Sequence, residues 1–329
     1  MSKNSANLDV LRAIAVLMVF CHHIFEYGYY RVNIHGLGQF GVLIFFVHTS
    51  LVLMMSMERN SGATNFYIRR FFRIYPLSIL VVLLVTVLRI PLTPAREFVP
   101  VGTFNLISNL ALTMNLTHSP EVLAVLWSLP IEVQMYAVLP LLFLVTRTRH
   151  AFRNLMLIWV ALIPLAYYQP LLKGPHNIVR FGPCFLGGVI AYVVLQKYKP
   201  RLPWFWWPPF ILAAFAVYER FDTHGTGWLE CLALGLAVPF FREVQVPVVR
   251  WVAATIAKYS YGIYLFHLIA IYYCFTFLPW AMWLQIAASI VLTAVASVAS
   301  FHLIENPLIH YGQRVGHAFA RRQPVPAAS

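Results

Sequence analysis

The sequence predicts an all-α fold, a polytopic transmembrane helical bundle of about ten spanning helices. Three observations lead there. Of 329 residues, 60% are hydrophobic and only 11% charged, with a mean hydropathy of +0.71, whereas a soluble domain carries about a quarter charged residues. So few charges cannot build a water-facing surface, and a bilayer must solvate much of the chain. Second, the apolar residues gather into runs approaching the length of about 20 residues that a spanning helix needs. Third, when those runs are made to alternate across a membrane, 18 of the 24 Lys and Arg residues fall on one side.

The predicted spans lie near 9–30, 38–57, 75–92, 124–145, 155–171, 181–196, 204–219, 227–241, 259–278 and 280–303. Residues 104–118 are moderately apolar but carry Asn105, Ser108, Asn109, Asn115 and Thr117. If this segment crossed, the basic loop at 147–153 would move to the outer side, against the excess of Lys and Arg that cytoplasmic loops carry. The chain is therefore expected to have both termini in the cytoplasm and 104–118 as an interfacial or re-entrant segment. Residues 1–8 form an N-terminal cytoplasmic segment, 9–312 the membrane domain and 313–329 a C-terminal tail expected to lose order after about 315. No internal repeat is visible.

The net charge of +13 is spread over many short segments between apolar runs, which fits membrane topology and not a nucleic-acid footprint. Cys21, Cys184, Cys231 and Cys274 all fall in apolar runs and form no CxxC pair, so neither a disulfide framework nor a zinc site is expected. The first apolar run has no small-residue cleavage site and carries Arg12 and two histidines, so it reads as a retained helix and not a signal peptide.

Ionisable residues inside spans are costly and are functional candidates by default. In LDVLRAIAVLMVFCHHIF, Arg12 and His23 are eleven residues apart. On an α-helix that offset returns to within about 20° of the same face and rises about 16 Å. The stripe should face the bundle interior, with Asp9 one turn from Arg12 and able to pair with it. His22 points about 80° away, toward packing. A histidine can take a proton from a hydroxyl near neutral pH, or it can simply hydrogen-bond a neighbouring helix.

The run FYIRRFFRIYP places Arg70 and Arg73 one turn apart, with Arg69 beside them, just before Pro76 opens a span. Guanidinium groups so spaced can grip phosphates, or anchor to lipid headgroups. In LWSLPIEVQMYAVLP, Glu132 could orient a histidine, bind an acceptor hydroxyl or neutralise an arginine, and Trp127 and Tyr136 suit an interfacial belt. His267 lies mid-span in SYGIYLFHLIAI, and Glu305 and Pro307 are expected to end the last helix in HLIENP. No metal-ligand spacing is visible and no metal is expected.

Together these runs resemble acyltransferase family 3 of integral membrane proteins. The resemblance rests on Leu8, Asp9, Leu11, Arg12, Ala15 and His23 in the first helix, and on Arg70, Arg73, Tyr75 and Pro76. It continues through Trp127, Ser128, Leu129, Glu132, Gln134 and Tyr136, the FxxG stretch at 185–188, Ser260, Tyr261, Tyr264, Leu265 and His267, and the closing Glu305 and Pro307. It covers roughly 8–312. The second helix departs from the family pattern, with FFVHTSLVL placing His48 and Ser50 where Leu and Gly are usual, and Val133 stands where a second acidic residue is frequent.

The resemblance implies transfer of an acyl group, most often acetyl, from cytoplasmic acyl-CoA to a hydroxyl of an extracytoplasmic glycan or glycolipid at the bacterial inner membrane. Acyl-CoA is then expected as a co-substrate, with no cofactor bound permanently. The resemblance implies His23 as the catalytic histidine, Arg12 as its partner, and Arg70 and Arg73 as donor-binding residues; the runs themselves add Glu132 to the catalytic candidates, Arg69 to the donor-binding ones, and Trp127, Tyr136 and His267 as substrate-binding candidates. The partners are then the acyl-CoA donor, the acceptor and membrane lipids; the oligomeric state is not encoded legibly. The alternative is a transporter or flippase of a glycan or lipid-linked precursor, a class that also uses intramembrane charges and broken spans.

Overall fold

The computed structural model describes residues 5–28, 36–59, 62–94, 96–169, 177–222 and 226–322. Of the basic residues counted above, Lys3, Arg31 and Lys173 lie outside them, as does the chain beyond 322. The described residues form helices and no strand, apart from one isolated bridge between Leu202 and Phe241.

In chain order the helices are α1 Ala6–Gly28, α2 Leu37–Arg59, α3 Ala63–Val87, α4 Thr103–Leu110, α5 Met114–Thr117, α6 Ser128–Thr146, α7 Ala151–Tyr168, α8 Ile178–Lys197, α9 Trp207–Phe221, α10 Trp228–Ala237, α11 Pro247–Phe277, α12 Met282–Ser300 and α13 Asn306–Arg322. Among the described residues eight stretches are long and apolar enough to cross a membrane: α1, α2, α3, α6 with its preceding 3-10 turn, α7, α8, α11, and α12 continued into α13. The other two expected spans are short, 15 residues for α9 and 10 for α10. They nevertheless run between the two faces of the bundle. On one face, the Arg201 and Leu202 N–H groups donate to the Phe240 carbonyl, and the Arg242 N–H donates to that of Leu202. On the other, the Trp228 indole donates to the Arg180 carbonyl and the Cys184 thiol to that of Thr226. The α9–α10 pair thus leaves one face and returns to it, which preserves the alternation inferred from charge.

The first of these faces also holds the N-terminal segment. Ser5 and the Asn7 N–H bond the Glu243 carboxylate, and the Asn7 amide bonds the Phe241 and Arg242 carbonyls. Gln196 at the end of α8 reaches Glu58 at the end of α2. At the C-terminal end, α13 packs antiparallel on the first half of α3, with Gly312 over Phe72 and Gly316 over Asn65, so both described ends lie at this N-terminal face.

Three local expectations need correction. Pro76 does not open a span: α3 begins at Ala63 and Pro76 lies inside it. Pro307 does not end the last helix. A π-turn at Phe301–Glu305 precedes α13, in which Pro307 is the second residue. The wider π-turn accommodates the proline ring, which would clash with the carbonyl four residues back, and its missing N–H. The chain beyond about 315 is therefore helical as far as Arg322.

Residues 104–118 form α4 and α5, too short to cross. Tyr75, midway along α3, donates to the Ala111 carbonyl, and Asn115 and Gln134 exchange amide bonds of 3.2 and 2.8 Å. The Ala124 N–H then bonds the Leu92 carbonyl beyond the far end of α3. The segment descends to mid-helix depth and climbs back, so it is re-entrant and does not lie along the surface.

Close helix approach is set by glycine. A Cβ on Gly41 would stand 2.6 Å from the Ala15 carbonyl oxygen, fixing α1 against α2. A Cβ on Gly188 would overlap the Val47 carbonyl and the Ser50 hydroxyl, fixing α2 against α8. Ser50 therefore meets α8 and not α1, with its hydroxyl bonded to the Phe46 and Val47 carbonyls of its own helix.

Gly188→Ala should destabilise the detergent-solubilised protein by about 1–3 kcal/mol, the usual cost of overpacking. Gly102→Ala, with nothing within 4 Å of its new Cβ, should leave the thermal unfolding midpoint unchanged. A single cysteine placed in the 147–153 loop should react with impermeant maleimide only in inverted vesicles; reaction in right-side-out cells would reverse the orientation.

Candidate active site

Arg12 and His23 both meet α11. The Arg12 Nε donates to the Ser260 hydroxyl at 2.6 Å, and His23 Nδ1 lies 2.9 Å from His267 Nε2. The stripe faces the interior, as costly intramembrane polar groups should. Ser260, Tyr264 and His267 stand at i, i+4 and i+7 on α11, one helical face, a spacing that could have given Ser260, quoted above only as a motif residue, its place in the site. Asp9 does not pair with Arg12; the ion pairs among the described residues are His22–Glu26 and Arg73–Glu305.

A cavity of about 90 Å³ lies between α1, α2, α3, α6 and α11. Its walls carry Arg12, Arg70, Arg73, Glu132 and Tyr136, all expected site residues, together with His48, Ser128, Ser260, Tyr261 and Tyr264. His48, noted only as a departure from the family pattern, also lines a second cavity of about 500 Å³ that shares Arg12, Val52 and Arg73 with the first. This vestibule opens beside Ser5 and adds Arg59 and Lys258, so four cations face the single carboxylate of Asp9.

The cations of the cavity differ in their partners. Arg73 is ion-paired at 2.9 Å to Glu305, whose side chain is buried, and its guanidinium lies 5.7 Å from the centre of the Tyr261 ring. Arg70 stacks 6.0 Å over the Tyr136 ring and, among the described residues, forms no ion pair. Tyr136 in turn donates to Glu132 at 2.6 Å. Glu132 therefore holds a tyrosine. Arg69 turns away from the cavity toward His317 of α13, 3.4 Å away.

Trp127 is not in the cavity wall either; it stacks edge-to-face on Phe46 and lies 5.5 Å from the Phe181 ring. The histidines stand behind Tyr264. Its hydroxyl donates to the Val125 carbonyl and bonds Ser128, and its ring is 6.2 Å from that of His267. His22 packs over Gly38 and approaches Glu26 at 3.6 Å. With His23 these two bring ligand atoms within 4.8 Å of one another, but one nitrogen of His23 is engaged by His267.

Comparison with known proteins bears on this arrangement. The sequence pattern of the Acyltransferase domain family matches residues 5–302. The acyltransferase MdmB of Streptomyces mycarofaciens is 30% identical over 155 residues, 43% of this chain and 40% of that protein. Nodulation protein 10 of Rhizobium leguminosarum bv. viciae is 24% identical over 346 aligned positions, covering 92% of each. No solved structure matches. With the family pattern running through the helices that build the cavity and the histidine pair, the chain belongs to acyltransferase family 3 and is an integral membrane acyltransferase.

Proposed function

We propose that the protein transfers an acyl group, most often acetyl, from cytoplasmic acyl-CoA to a hydroxyl of an extracytoplasmic glycan or glycolipid at the bacterial inner membrane. One observation carries the reading: a basic cavity and a histidine pair lie at opposite ends of the Arg12–His23 stripe, both held by α11. The N-terminal face is taken as cytoplasmic, from the distribution of Lys and Arg. The polyanionic head of the donor rests among the vestibule and cavity cations, with Arg70 available to a phosphate because it has no carboxylate partner among the described residues. The thioester arm extends past Arg12 toward Tyr264 and the histidines. The rise of about 16 Å from Arg12 to His23 suits such an arm. The acceptor enters from the opposite face.

In the chemical step His23 takes the proton from the acceptor hydroxyl, whose oxygen attacks the thioester carbonyl carbon. The carbon–sulfur bond breaks, and CoA leaves as a thiolate that takes up a proton. Membership of an acyltransferase family favours this reading over transport of a glycan precursor, which the intramembrane charges alone would also fit.

Purified protein should release CoA from acetyl-labelled acetyl-CoA and pass the label to membranes carrying the native acceptor; a transporter would do neither. His23→Ala should lower transfer by about 10²–10⁴-fold, the usual contribution of a general base, with CoA binding retained. His22→Ala, packed on another face, should lose far less. Near-normal transfer by His23→Ala would remove its catalytic role.

Arg70→Ala should weaken CoA binding with little change in thermal stability, and Arg70→Lys should restore part of it, lacking the guanidinium fork. Arg73→Ala should also destabilise the fold by about 3–5 kcal/mol, because it strands the buried Glu305 carboxylate. Equal CoA affinity in Arg70→Ala and the wild type would make Arg70 a topological anchor only.

A further inference from the structure

The two histidines are joined by contacts whose donors and acceptors can be worked out. His267 Nδ1 lies 3.0 Å from the Ile263 carbonyl, four residues back on α11. A carbonyl oxygen only accepts, so Nδ1 carries the proton. His23 Nδ1 lies 3.0 Å from the Val19 carbonyl, four residues back on α1, and by the same argument it is the protonated nitrogen of that ring. The 2.9 Å contact between His23 Nδ1 and His267 Nε2 is then a hydrogen bond in one sense only. His23 donates, its N–H shared between Val19 and His267, and His267 accepts on a bare Nε2. In the reverse sense a neutral His267 would donate from Nε2 and turn a bare Nδ1 to the Ile263 oxygen, while the His23 Nδ1 lone pair would face the Val19 oxygen, and two of the three contacts would become repulsive.

From this geometry we propose that His267 is a positioning residue for His23: it accepts the Nδ1 proton, leaves Nε2 bare to act as the base, and stabilises the imidazolium formed there. The inference rests on the reading of His23 as the base. When Nε2 takes the proton of the acceptor hydroxyl, His23 becomes a cation whose Nδ1–H still points at the His267 lone pair, and that bond becomes charge-assisted and stronger. No proton passes to His267, whose own Nδ1–H stays on Ile263. The arrangement serves as an orienting carboxylate does behind a catalytic histidine, holding ring and tautomer, but with a neutral acceptor.

The surroundings support a fixed ring pair. His267 is fully buried. The Phe20 ring meets it edge-on at 5.8 Å, and the Tyr27 ring lies parallel to His23 at 6.1 Å. Sequence reading had grouped His267 with the substrate-binding candidates. Its place behind His23, with one nitrogen on a backbone carbonyl and the other on His23, leaves no ring nitrogen for an acceptor.

Two measurements test the proposal. The first is ¹⁵N NMR of histidine-labelled protein in nanodiscs, with His23 assigned by comparison with His23→Gln. A protonated Nδ1 and bare Nε2 at His23 are expected; a proton on Nε2 would overturn the assignment whether or not His23 is catalytic. The second is CoA release from acetyl-CoA with membranes carrying the native acceptor. His267→Leu and His267→Asn should lower kcat on the order of 10–100-fold, as loss of the partner that orients a functional histidine does, with the donor KM near wild type. His267→Gln, whose amide oxygen reaches the position of Nε2, should recover much of that loss, whereas the shorter Asn should not. If the three variants fall together, or if none falls, His267 only packs. If His23→Ala transfers normally, the base reading fails, and the NMR spectrum still decides whether the pair is built as described.

Discussion

The bundle is organised by a constraint of its solvent: hydrocarbon offers no hydrogen-bond partner, so each polar group within a span must find one in the protein. Helix α1 carries two such groups on one stripe, and α11 supplies both partners, Ser260 for Arg12 and His267 for His23. A shift of α1 on α11 would strand both at once. The glycines that bring α2 against α1 and α8 against α2 keep that arrangement compact, and the cavity is the space left where α3 and α6 stand off from it.

The second anchor is the ion pair of Arg73 with Glu305. Removing two charges from water costs several kcal/mol each, so such a pair is weak evidence for stability and better evidence for a fixed arrangement. It ties the π-turn between α12 and α13 to α3 at the cavity rim. It also sorts the arginines. Arg73 is neutralised in place, Arg69 faces α13, and Arg70 faces the cavity over Tyr136 with no carboxylate partner among the described residues. A motif that looks uniform along the chain thus resolves into three environments.

The re-entrant segment of α4 and α5 fills space beside α3 and α6 without a further crossing. Its polar residues, unsuited to lipid, are spent on one another and on neighbours: Asn115 on Gln134, and Asn109 on Pro120 and Val122. His48 shows the converse. It is a buried imidazole in the wall shared by both cavities, where a leucine would give an apolar wall.

The helices, the reading of 104–118 as a non-crossing segment and the common face of Arg12 and His23 were legible in the sequence, because each follows from hydropathy or from a spacing within one helix. The family was legible in the order of short motifs. The exact reach of helices was less so: Pro76 and Pro307 read as boundaries, yet α3 and the π-turn absorb them. What only the tertiary structure decided is who meets whom. His23 and His267 are 244 positions apart and Arg73 and Glu305 are 232 apart. Local periodicity states that a residue faces the interior and says nothing about the helix across from it. The partner of each buried polar group is set by how the helices pack.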